Sequence, residues 1–98
     1  MAHPSTPLAV AAGADVVLTS AQVRDNRLIT VTPTGAHRDL TLPAAASMVG
    51  HEIVVFNAAA SALNVVVKAD SATIGTVAQN KGAYFASNGT AWRAVLGA

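Results

Sequence analysis

Residues with branched β-carbons are gathered into short runs: DVVLTS (15–20), RLITVT (27–32), HEIVVFN (51–57) and LNVVVKAD (63–70). Each is six to eight residues long and is followed closely by turn-forming or small residues. Runs of that length and content fit a pleated sheet better than a helix. In RLITVT, Ile29 and Val31 alternate with Thr30 and Thr32, which sends one set inward and the other outward. Leu40 and Leu42 alternate likewise in DLTLP, where Pro43 ends the strand because it has no N–H for a ladder.

The connections support the same reading. TPTGAHR carries Pro33 and Gly35 and reads as a loop. Asp25-Asn26 reads as a turn inside the exposed segment AQVRDNR. AAASMVG (44–50) is too short for an independent helix and fits a corner or single helical turn closed by Gly50. In LNVVVKAD, Leu63, Val65 and Val67 share one face and Asn64, Val66 and Lys68 the other. Gly75 within SATIGTV marks a bulge or bend. QNKG is a turn in which Asn80 and Gly82 suit positive φ. Asn88-Gly89, between AYFAS and AWRAVLG, predicts a two-residue hairpin turn.

These signals recur every eight to twelve residues and predict an all-β domain: a small antiparallel β-sandwich or jelly-roll-like barrel of about eight short strands. Ninety-eight residues make room for one core. Pro4 and Pro7 disfavour regular structure at the start, so residues 1–12 are expected to form an extended, flexible arm and residues 13–98 the sandwich domain. Leu8 and Val10, the apolar part of that arm, are the candidate partner-binding residues.

Charged residues make up 11% of the chain, against about 25% in ordinary soluble domains, so the surface is bare enough to expect other chains against it. The net charge is +1 with no basic run, which gives nucleic-acid binding no support. Cysteine is absent, removing disulfides, thiolate metal sites and a thiol nucleophile together. No basic leader precedes an apolar segment, and no stretch approaches the ~18 apolar residues of a membrane-spanning helix.

Catalytic constellations are not expected. His3, His37 and His51 lack the spacing of a helical zinc site. His51 and Glu52 are adjacent, so a strand sends them to opposite faces, and no G-x-S-x-G elbow is present. Asp25, Asp39 and Asp70 fall in separate turns without a calcium-loop pattern. Tyr84 and Phe85 are neighbours, so one of them faces the core. Trp92 shares its face with Ala94 and Leu96 and reads as a core anchor rather than a carbohydrate platform. No catalytic residue, cofactor, metal or small-molecule substrate is therefore expected.

A succession of marks carries a family resemblance. A strand ends in Leu42-Pro43, a small-residue corner ends in Gly50, an apolar strand ends in Asn57, and a valine-rich strand follows. SNGTAW (Ser87 to Trp92) closes the series. Across residues 28–95 this order resembles β-structured virion proteins of tailed bacteriophages, including capsid decoration (cement) proteins and tail-fibre modules. The resemblance implies a homotrimer on the virion surface, made in the host bacterial cytoplasm, with the major capsid protein as partner. It implies a structural role, clamping neighbouring capsid subunits, or alternatively a receptor- or glycan-binding module of a tail fibre.

Overall fold

The computed structural model describes residues 8–96. Nine strands lie among them: β1 (Leu8–Ala12), β2 (Val16–Val17), β3 (Leu28–Pro33), β4 (Arg38–Thr41), β5 (Glu52–Asn57), β6 (Val65–Ala69), β7 (Ala72–Val77), β8 (Gly82–Ser87) and β9 (Trp92–Leu96). One short helix, α1 (Ser20–Asp25), joins β2 to β3, and a 3-10 turn, Ala45–Ser47, joins β4 to β5. The strands form a five-stranded sheet, β1-β3-β5-β8-β9, and a four-stranded sheet, β2-β4-β6-β7.

The mostly-β composition agrees with the sequence reading, but the strand directions do not. β1, β3 and β5 run parallel in the first sheet, as do β2, β4 and β6 in the second. Antiparallel pairing is confined to β5–β8, β6–β7 and β8–β9. The sheets are therefore mixed, not those of an antiparallel sandwich or jelly roll. The chain winds as a coil. It lays β1 in one sheet and β2 in the other, returns, and stacks β3 and β4 on them, then β5 and β6. Parallel neighbours need a long crossover, and here each crossover contains a strand of the opposite sheet.

Side chains at the coil's corners hold successive turns in register. Asp15, in the first corner, accepts the Asp39 N–H at 3.0 Å. His37, in the second, accepts through Nδ1 from the Asn64 N–H at 2.8 Å. Arg38 closes its own corner by donating from Nε and Nη2 to the Thr34 carbonyl. Between the sheets, Ile29, Val31, Ile53, Val55 and Phe85 of one share a core with Leu40, Val65, Val67 and Val77 of the other.

Local chemistry explains several elements. The AQVRDNR segment, read as an exposed turn, contains the helix α1. Its capping box pairs the Thr19 side chain with the Gln22 N–H at 3.1 Å, and the Gln22 side chain with the Thr19 N–H at 2.8 Å. Val23 of α1 is buried. The small-residue corner is as expected: Ala45 and Met48 are buried beneath the turn, and Gly50 has φ +78°. Ile74, beside Gly75, is the extra residue of a bulge opposite Val67–Lys68.

The hairpin turns are exchanged relative to expectation. Asn88-Gly89 belongs to a four-residue loop between Ser87 and Trp92, tied by the Asn88 side chain accepting from the Thr90 and Ala91 N–H groups. The two-residue turn is Asp70-Ser71, with φ of +50° and +65°, between paired Ala69 and Ala72. Both positive values match a primed turn, whose twist suits a hairpin.

The arm expected over residues 1–12 divides. Residues 1–7 lie outside the described residues. Residues 8–12 are β1, paired throughout with β3. Alanine and valine at alternating positions gave this strand little signal by itself, and its neighbour β3 supplies the pairing that holds it.

Candidate interaction surface

Alternation along β3, β5 and β8 decides what the five-stranded sheet shows outside. Ile29 and Val31 turn inward, so Leu28, Thr30 and Thr32 turn outward. In β5, Ile53, Val55 and Asn57 are buried, leaving Glu52, Val54 and Phe56 outside. In β8, Phe85 is buried and Tyr84 and Ala86 face out. Register then assembles rows across the strands. Leu28, Val54 and Tyr84 lie side by side, and Thr30, Phe56 and Gly82 form the next row. The Phe56 ring lies against Gly82, where a β-carbon would meet its Cδ1 at an ordinary contact distance of 3.7 Å.

Partly exposed apolar side chains lie on this face among Thr30, Thr32, Glu52 and Arg93. Leu28 is 40% exposed and Phe56 36%. At one rim Arg27 pairs with Glu52 at 2.9 Å, both half exposed. Tyr84 stands beside that pair. The Glu52 carboxylate, as hydrogen-bond acceptor, raises the phenol above its ordinary value of 10.0, and partial desolvation adds to the shift. Sheets built from parallel strands are usually covered on both faces. Here the parallel strands β1, β3 and β5 show one face to solvent.

The outer face of the four-stranded sheet differs. Asp39, Thr41, Val66, Lys68 and Thr76 occupy it, with the ion pair Lys68–Asp39 at 2.9 Å near its middle. The bond to Asp39 raises Lys68 above its ordinary 10.5. This face is mostly polar, although Val17 of β2, in register with Thr41, is 72% exposed at its edge. Val49, also exposed, packs beside Gly89 at the β8–β9 loop.

Leu8 and Val10, the partner-binding candidates, do not belong to any of these surfaces. Both are partly buried against this chain's own core, in register with Ile29 and Val31. As inward residues of a paired strand, they are not available as a free apolar arm. His37 serves the corner ladder, whereas Nδ1 of His51 is buried without a hydrogen-bond partner. His3 lies outside the described residues. Among the described residues no three His, Asp or Glu side chains converge as a metal site would require. No helix among them is long and apolar enough to cross a membrane. Trp92 is buried, as read, with its indole N–H donating to the Pro43 carbonyl at 2.8 Å.

Leu28 and Phe56 are the surface residues that sequence reasoning missed. In HEIVVFN both alternating sets are apolar, Ile53 with Val55 and Val54 with Phe56. Period alone therefore cannot say which set faces out. The usable signal was the charge of Glu52, which shares its set with Val54 and Phe56, whereas polar Asn57 points the other way and is nevertheless buried.

Comparison with family models, with characterised proteins and with solved structures finds no match to this chain.

Proposed function

We propose that this chain is a structural virion protein that binds the outer surface of a phage capsid as a trimer and stabilises it by clamping neighbouring subunits of the major capsid protein. The observation that carries the reading is the group of partly exposed apolar side chains on the outer face of the five-stranded sheet. Burying Leu28, Val54, Phe56 and Tyr84 against a partner would gain roughly 25 cal/mol for each Å² of apolar surface removed from water. Repetition of the contact over a symmetric shell multiplies a modest single-site affinity.

Co-sedimentation with empty capsids tests the proposal. The wild-type chain is expected to pellet with particles, and the doubly substituted Leu28→Lys/Phe56→Lys chain, still folded by circular dichroism, to stay in solution. Equal pelleting of both would remove this face from the account. A wild-type chain that never pellets would remove decoration altogether.

The alternative is a receptor- or glycan-binding module of a tail fibre. Glycan binding by the isolated chain that is lost on Tyr84→Ala would support that reading over the first.

A further inference from the structure

β1 is an edge strand with β3 on one side and, among the described residues, no strand on the other. β2 is likewise the edge of the second sheet, in the same turn of the coil. Exposed edges invite pairing with other chains, and proteins normally blunt them with charge, proline or a bulge. The opposite edges carry such devices: Arg93 lies in β9, and β7 is bulged at Ile74. β1 has none. Its sequence, LAVAA, is uncharged and pairs without irregularity over all five residues.

The pattern of β1 also matches itself. Leu8, Val10 and Ala12 face the core, while Ala9 and Ala11 are exposed on the outer side. Antiparallel pairing centred on Val10 would set Leu8 opposite Ala12 of a second copy, Ala9 opposite Ala11, and Val10 opposite Val10. Inward residues meet inward residues, large meets small, and no like charges oppose.

We infer that the β1 edge is a two-fold joint at which two copies of this chain pair antiparallel about Val10, continuing the five-stranded sheet from one copy into the next. The contact is isologous, so it closes on itself instead of propagating. It uses an edge and leaves the outer sheet face free, and it does not rest on capsid binding.

Two variants test it without touching the core, since Ala9 and Ala11 are exposed. In Ala9→Lys/Ala11→Lys, lysines oppose lysines across the joint. Multi-angle light scattering is expected to give half the wild-type mass, and the glutamate counterpart, Ala9→Glu/Ala11→Glu, the same. Mixing the two variants in equal amounts should restore the full mass. Because the chain has no native cysteine, a mixture of Ala9→Cys and Ala11→Cys chains should oxidise to a covalent dimer, well ahead of either variant alone. A wild-type mass equal to one chain or to an odd number of chains, or a mass unchanged in the lysine variant, would overturn the inference. So would equal cross-linking of the mixture and the single variants.

Discussion

At the β1–β2 end of the coil, two short strands finish the sheets with alanine and valine, and the core beneath is partly open at Leu8, Val10 and Val16. At the β7–β9 end the chain turns back on itself. Three antiparallel strands cover the stack, Phe85 and Trp92 fill the space beneath, and Asn57 and Ser87 bind the loops. One domain thus contains a closed end stabilised by aromatic packing and buried side-chain hydrogen bonds, and an opposite end that buries Ala12, Leu18 and Val23 but leaves Leu8, Val10 and Val16 partly open. The difference teaches where stability is concentrated and where another molecule can add.

The largest expected effect falls at the closed end. Phe85 is fully buried, so Phe85→Ala should cost about 3–5 kcal/mol. Val10→Ala at the open end should cost about 1 kcal/mol, because its side chain is only partly covered. Urea unfolding of both variants measures the contrast, and equal losses would break it.

Asn57 comes next. Its side-chain amide donates to the Leu63 and Val77 carbonyls at 2.7 and 2.8 Å, and its oxygen accepts from the Ala59 N–H at 2.9 Å. One side chain therefore ties β5, the β5–β6 corner and β7 together. Asn57→Ala would leave several buried backbone groups unpaired and should cost about 2–4 kcal/mol, read from the same unfolding experiment.

A smaller change separates the ends locally. Thr19→Ala removes the cap of α1 and should cost about 1 kcal/mol. Hydrogen exchange should then accelerate in α1 while β5 and β8 keep their protection. Faster exchange throughout would mean that the open end is not an independent unit.

The smallest effect is electrostatic and distinguishes the outer faces. Lys68 is raised above 10.5 by Asp39, so this pair contributes fully below that pH and loses its contribution as pH climbs through the higher folded value. Tyr84, raised above 10.0 beside Glu52, behaves with the same sign, because the fold favours its protonated form. Stability should therefore fall on the alkaline side, and more gently in Lys68→Met. Both groups are well exposed, so the difference should be slight. Guanidinium unfolding repeated from neutral to strongly alkaline pH would detect it.

Much of the strand content was legible from particular residues. Ile29 and Val31, Leu40 with Leu42, and Val65 with Val67 all face the core as their alternation requires. Strand direction was not legible. Nothing in RLITVT or HEIVVFN says whether they lie parallel, since that depends on the length of chain between them and on β4 being absorbed into the other sheet. α1 was hidden because its signal is a cap pair, Thr19 and Gln22, followed by too little apolar periodicity to register. The primed turn at Asp70-Ser71 lacks the glycine that normally announces one. Asn88-Gly89 has that glycine and makes a longer loop, because Asn88 spends its side chain on Thr90 and Ala91. The candidate surface was the least legible part: Val54 and Phe56 are as apolar as the core residues between them.

Parallel stacking of β1, β3 and β5 is the claim on which both the exposed face and the open edge depend, and cross-strand nuclear Overhauser contacts test it most directly. The structure requires Leu28 beside Val54 and Thr30 beside both Phe56 and Ala9, with partners advancing together along the chain. Contacts in the reverse order, with Leu28 beside Phe56 and Thr30 beside Val54, would contradict it.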